Sequence, residues 1–302
     1  MSTNKVLLID ANSIGYASQS ATKLSAGGME TQAAYGFIKT MRELRIQFPK
    51  FTPFVLWDGR AEWRFKLFPD YKSNRKDSPE KIAMKESYAK QKPYIESMLR
   101  HLGVRQLTCF SAEADDMGGY FAAKLSTAPD AEVGLITGDR DWIQLVRKNV
   151  WWKDPRDDAR YVDAANFYKK TGCKSPFAFL ETKILMGDSS DCISGVGGIG
   201  EKGAPEFIAE FGSVRKFWQL CDSGAFEPRL KKHKNLASPE GRALYKRNFQ
   251  LMQLLKVEPP ARADLKVDTG RFDKEAFANA CEELAFVSIL RNLDEFTLRF
   301  KP

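Results

Sequence analysis

Three short apolar runs, each ending in an acid, constrain this chain more than any other feature. Lys5-Val-Leu-Leu-Ile-Asp10 is apolar up to its aspartate, Phe54-Val-Leu-Trp57 is followed at once by Asp58 and Gly59, and Val133-Gly-Leu-Ile136 leads into Thr137-Gly138-Asp139-Arg140-Asp141. Such continuous runs read as strands of a parallel sheet covered on both faces. Val104 to Phe110 reads as a further strand and feeds Glu113, Asp115 and Asp116. A single aspartate after a strand is ordinarily a helix N-cap. Four strands that deliver acids at one end point instead to the functional crevice, which in an open α/β sheet lies outside the carboxyl ends of the strands. Asp10, Asp58, Glu113, Asp115, Asp116, Asp139 and Asp141 are therefore expected to meet there.

Glu113, Asp115 and Asp116 crowd the first turn of a helix, because Ala114, Met117, Gly118, Phe121, Ala122 and Leu125 recur at i, i+3, i+4, i+7 and i+8. One or two acids there complement the helix dipole. Three repel one another and raise one another's pKa unless a counter-charge sits among them. Oxygen ligands without thiolates suit magnesium or manganese. Carboxylates gathered at one sheet edge suit a pair of such ions, as in phosphodiester hydrolysis. A haloacid-dehalogenase phosphatase would need a second aspartate two residues after Asp10, where Asn12 stands.

The composition excludes several alternatives. Five scattered cysteines without a Cys-x-x-Cys spacing indicate free thiols, neither a disulfide framework nor a zinc site. The two histidines, His101 and His233, make a nucleophilic triad or a histidine-rich metal site improbable and are expected at the surface. No apolar run spans a bilayer and the first residues do not form a signal peptide, so a cytoplasmic location without membrane contact is expected.

The net charge of +8 points to a polyanion. Its distribution is informative: residues 60–105 hold twelve Lys/Arg against six Asp/Glu, and residues 213–256 ten against three. Within the first block, Trp63 to Arg75 interleaves cations with aromatics, a mix in which charges track phosphates and rings stack on single-stranded bases. The helix after it, from Glu80, is expected to stop near Pro93.

Phe177 to Met186 reads as a helix that runs into the glycine-rich loop Gly187 to Gly200, then Glu201-Lys202-Gly203 and an apolar helix from Ala204 to Phe211. Glycines here let backbone amides approach phosphates at a helix N-terminus, although the pattern is not a Walker A loop. Beyond it the reading is a basic loop over 229–234, a helix over about 240–255 and a helical stretch from Lys274.

In chain order, Leu8-Ile-Asp10-Ala-Asn12, Trp57-Asp58-Gly59, Arg64 with Tyr71-Lys72-Ser-Asn-Arg75, Glu113-Ala-Asp115-Asp116, Thr137-Gly-Asp139-Arg-Asp141 and Gly187-Asp188-Ser-Ser-Asp191 resemble the motifs of the flap endonuclease and 5′-3′ exonuclease family. The resemblance covers residues 5 to about 215 and is nearest to stand-alone bacteriophage or bacterial members. It implies a PIN-like α/β nuclease core with a mostly parallel sheet over 1–172, a helical arch at about 60–100, and a helical region over 173–302 whose helix–three-turn–helix grips duplex DNA.

It also implies roles. Asp10, Asp58, Glu113 and Asp115 would hold the first of two magnesium or manganese ions with Asp116 close by, and Asp139, Asp141, Asp188 and Asp191 the second. Lys72 and Arg75 would touch the scissile phosphate, Tyr71 would lie beside the threaded strand, and Arg64 would support phosphate binding. Gly198, Gly200 and Lys202 would meet duplex DNA, and a potassium ion could sit in their loop. The implied substrate is DNA with 5′ flaps or ends, or an RNA/DNA hybrid, taken by a monomer. A PIN-type ribonuclease and a silent junction-binding homologue are the competing readings. The loop departs from the family at Cys192, Ser194, Gly197 and Gly203, where asparagine, two prolines and threonine are usual, which leaves it looser.

Overall fold

The computed structural model describes residues 4–21, 23–74, 78–255 and 259–301. Its centre is a seven-stranded sheet in the order Leu265–Asp268, Arg105–Cys109, Thr52–Trp57, Lys5–Asp10, Glu132–Ile136, Val150–Lys153, Tyr161–Val162. The five inner strands are parallel, and the two outermost pair antiparallel with their neighbours. The four strands read from the sequence lie side by side in this sheet.

Lys5–Asp10 is central, with Leu8 paired to Phe54 on one side and Leu135 on the other. The two-residue period sends Leu7 and Ile9 into a core with Phe37, Met41, Trp57 and Leu99, and Leu8 into a core with Met117, Trp142 and Leu185. Helices Ala11–Gln19, Gln32–Gln47 and Pro79–His101 supply the first core, and Ala114–Leu125 and Pro176–Met186 the second. Burial on both faces is why these strands read as unbroken apolar runs.

The structure corrects the sequence reading in several places. The helix expected to stop near Pro93 runs through it, from Pro79 to His101. A proline inside a helix costs about 3 kcal/mol, and burial of Ile95, Met98 and Leu99 beyond it offsets that cost.

The expected basic loop at 229–234 is largely a helix, Lys231–Ala237. Its lysines conceal two inward residues three apart: Leu236 is wholly buried, and His233 is only 5 % exposed. Rather than facing solvent, His233 lies among the rings of Phe207, Phe211, Phe217 and Phe226, with centroids 5.5–5.9 Å away. Burial lowers its pKa. Val150–Lys153, too short and too mixed to be read as a strand, is one.

Residues 174–252 are chiefly helical, but the chain then returns to the sheet. Leu265–Asp268 pairs with Arg105–Cys109, and Phe277, Cys281, Phe286 and Phe296 join the core beneath Gln32–Gln47 and Pro79–His101. The division expected at 172/173 is therefore crossed by the last forty or so residues, which pack on the nuclease sheet.

Candidate active site

The carboxyl ends of the central strands place the acids. Asp10 ends its strand and caps the helix after it, with Oδ1 accepting from Ser13 N (3.0 Å) and Oδ2 from Thr137 Oγ1 (2.8 Å). Asp58 accepts from Asn12 Nδ2 and from Ala114 N, both at 2.6 Å. Gly59 makes that approach feasible: a Cβ there would lie 1.9 Å from the Cys109 carbonyl oxygen, so a side chain would push the Asp58 turn off the neighbouring strand. Asp115, the second residue of the Ala114–Leu125 helix, accepts from Trp142 Nε1 at 2.7 Å.

Two adjoining hollows collect these groups. A cavity of about 570 Å³ is lined by Asp10, Asp58, Glu113, Asp115 and Asp139, with Asn12, Tyr16, Lys72 and Arg156 on its walls. A narrower cleft is lined by Glu113, Asp115, Asp141, Asp188 and Asp191. Glu113 and Asp115 face both, so eight of the nine carboxylates named from the sequence share one site.

The ninth does not. Asp116 is buried and forms a two-pronged ion pair with Arg64, Nη1–Oδ2 2.7 Å and Nη2–Oδ1 2.6 Å, while its Oδ2 also accepts from Glu113 N. Arg64 is 2 % exposed, donates through Nε to Leu251 O (3.1 Å), and lies 3.4 Å from Glu113 Oε2. Its guanidinium is thus paired with Asp116 at the inner wall of the narrower cleft, which it lines beside Glu113. Tyr71 is also buried, donating to Glu113 Oε2 at 3.3 Å with its ring against Phe65. Lys72 lines the larger cavity and holds Glu113 Oε1 at 2.7 Å. Arg75 lies outside the described residues.

Sequence reasoning missed the counter-charge on the narrower side. Lys183, in the last turn of the Pro176–Met186 helix, sits 2.7 Å from Asp141 Oδ1. It also missed Asn12 and Trp142 as partners of Asp58 and Asp115; their only signal is position, two after Asp10 and one after Asp141. Gly198 and Gly200 have open space where a Cβ would be. Lys202 is exposed at the N-terminus of the Gly203–Phe211 helix. None of these three lines either hollow.

Burial, then the neighbouring Asp58, pushes the Asp10 carboxyl up to about 7. Asp115 is raised well above the carboxylate range by burial and by Asp139, Asp10 and Asp58. Asp139 is exposed as a residue, so solvent screens part of the effect; atoms packed around its carboxylate and the nearby Asp141 raise it to about 6. The donors are all hard oxygens, which fits a divalent cation. Among the described residues no three of them close on a single point, and the ammonium groups of Lys72 and Lys183 stand as the local counter-charges.

An acid whose folded pKa exceeds its unfolded value of about 3.9 binds its proton more tightly when folded, so stability falls as pH rises through the folded value. His233, with a lowered pKa, acts oppositely, but only below about its ordinary value of 6.5. In EDTA the melting temperature is therefore expected to drop between roughly pH 6.5 and 8, and magnesium to abolish the drop. A metal-free melting temperature that climbs over that range would show that the acids do not repel.

Residues 5–172 match the 5′-3′ exonuclease N-terminal resolvase-like domain, and residues 174–264 the 5′-3′ exonuclease C-terminal SAM fold. The chain belongs to the 5′-3′ exonuclease family, a family of nucleases. It is 31 % identical over 232 residues to DNA polymerase I of Lactococcus lactis subsp. cremoris, which covers 73 % of this chain and 26 % of that protein. It is 29 % identical to DNA polymerase I of Bacillus caldotenax, covering 96 % and 32 % respectively. The chain thus spans about a quarter to a third of these relatives. Its fold is shared by the T5 5′-exonuclease solved with zinc, at TM-score 0.69 and 23 % identity over 98 % of both chains. It is shared also by the catalytic core of Rad2 in complex with DNA, at TM-score 0.59 and 16 % identity over 100 % of this chain and 93 % of that one. No helix among the described residues is long and apolar enough to cross a membrane.

Proposed function

We propose that the chain is a structure-specific 5′-nuclease, acting as flap endonuclease and 5′-3′ exonuclease on DNA at single-strand/duplex junctions, in replication or repair as the polymerase I relatives suggest. The observation that supports this most is the shared site of eight carboxylates with Lys72 on its wall. Magnesium or manganese ions, one held by Asp10, Asp58, Glu113 and Asp115 and another by Asp139, Asp141, Asp188 and Asp191, would supply Lewis-acid activation of water and phosphate. Lys72 exchanges Glu113 for a phosphoryl oxygen and neutralises charge that develops on it. Asn12 and the Ala114 N–H hold Asp58 in place, and Trp142 holds Asp115. Lys202 and the amides at the start of the Gly203–Phe211 helix meet duplex phosphates. A potassium ion on backbone oxygens of that loop belongs to the same proposal.

The deciding experiment incubates labelled 5′-flap DNA, single-stranded DNA and RNA with the protein, in magnesium or in EDTA. Flap DNA is expected to be cut in magnesium alone. Full cleavage in EDTA would sink the two-ion assignment, and a preference for RNA would sink the substrate. Lys202→Ala is expected to weaken flap binding in calcium and to reduce the salt slope by about 0.9, as for one duplex phosphate contact. An unchanged slope would remove Lys202 from the interface.

A further inference from the structure

The stretch that carries Lys72 is fastened to the turn that carries Asp188 and Asp191. Lys72 N donates to Asp191 O at 3.1 Å, and Asn74 Nδ2 donates to Ser189 O at 2.6 Å. Asn74 N donates to Cys192 Sγ at 3.2 Å, and the Ser73 hydroxyl lies 3.5 Å from the same sulfur. Lys72 and Cys192, one on each side, adopt left-handed backbone with φ of +60° and +61°. That conformation is costly for side chains of this size and persists only where surrounding contacts hold it. Here those contacts are each other's.

We infer that residues 72–74 and 189–192 form a clamp, with Asn74 and the Cys192 thiol as positioning residues that fix Lys72 over the acid site. The inference rests on the proposed nuclease reading only for what Lys72 does there. Asn74 lines neither hollow, and its amide holds the Ser189 carbonyl directly after Asp188. The Lys72 side chain then reaches Glu113 from a backbone that cannot drift without releasing the 189–192 turn. Cys192 replaces the asparagine usual at this position in the resembled family, so in this chain a thiol takes the two contacts from the clamp's other half. The clamp ties the position of the phosphate-facing lysine to that of two acids on the narrower side of the site.

A double-mutant cycle tests this. Asn74→Ala is expected to lower the single-turnover rate on flap DNA roughly tenfold, a partial form of the ~100-fold loss that a 1 Å misplacement can cause. Its affinity in calcium should change less than about twofold. In a Lys72→Ala background, Asn74→Ala should cost clearly less than it does alone, because the ammonium it positions is already gone. Cys192→Ala should slow cleavage as Asn74→Ala does, and Cys192→Ser, which retains an acceptor, should recover most of the loss.

A second readout needs no cleavage. In a Cys221→Ser background, where the remaining cysteines besides Cys192 are buried, Asn74→Ala should speed iodoacetamide labelling of Cys192 several-fold. Additive losses in the cycle, or wild-type rates of both cleavage and labelling in Asn74→Ala, would overturn the clamp. If the unmutated protein fails to cut flap DNA, the nuclease reading falls and the labelling result alone judges the clamp.

Discussion

Asp10→Asn and Asp139→Asn should each reduce cleavage of flap DNA by more than roughly 100-fold, the upper end of what loss of a partner outside the ligand sphere costs. Both should also melt higher than the unmutated protein in EDTA. The two results come from one cause. Asp10 is buried beside Asp58, and Asp139 lies near Asp141 and Asp188, so each carboxylate adds repulsion that a divalent ion would relieve. An asparagine retains the shape and most hydrogen-bonding capacity while removing the charge. For Asp10 the Thr137 hydroxyl can turn from donor to acceptor to meet the new amide. Each kcal/mol of repulsion relieved is expected to raise the melting temperature by about 2–4 °C. The measurements are single-turnover cleavage in magnesium and thermal melts in EDTA at pH 8. Variants that melt lower without metal and still cut would mean that these acids serve the fold.

Arg64→Ala should destabilise the protein by about 3–5 kcal/mol, the usual cost of breaking a buried ion pair from one side. Arg64 is 2 % exposed, as is Asp116, and its loss strands a buried carboxylate without its counter-charge. Glu113 and the Leu251 carbonyl lose a donor as well. Lysine is a poor substitute, because a single ammonium cannot reproduce the two parallel bonds to Asp116 or the ring contact with Trp63, whose centroid is 4.5 Å from the guanidinium. Replacing both partners together, as in Arg64→Met with Asp116→Leu, should recover much of the loss, since matched apolar pairs often equal buried ion pairs. Urea titration of the three variants decides it. If Arg64→Ala unfolds at the wild-type midpoint but binds flap DNA weakly, Arg64 belongs to the phosphate site, as the family resemblance implied.

The acid site was legible because its ligands follow strands whose apolar runs cannot be mistaken, and strand polarity alone sends Asp10, Asp58 and Asp139 to one edge. Asp188 and Asp191 were not reachable that way, for they follow a helix and a glycine turn whose return path local pattern does not fix. Asp116 illustrates the limit from the other side. It is one residue from Asp115, yet the rotation of about 100° per helical residue turns it from the cleft toward Arg64. The helix holding His233 was hidden by its lysines, since only Leu236 and His233 face inward and two residues make no visible period. Pro93 misled because a local cost was weighed without the burial that offsets it.

The order in which the chain is synthesised gives the outer strand Leu265–Asp268 a further meaning. Its partner, Arg105–Cys109, emerges some 160 residues earlier, and until the late strand arrives that sheet edge bears unpaired amides and carbonyls. The core under Pro79–His101 is likewise incomplete until Phe277, Cys281 and Phe296 are made. On the ribosome this edge of the nuclease sheet therefore closes only once residues 265–268 are made, and pairings this distant in sequence form slowly. A product truncated near residue 260 would carry the acids of the site yet present a bare edge to its neighbours, and its fate would be association rather than catalysis.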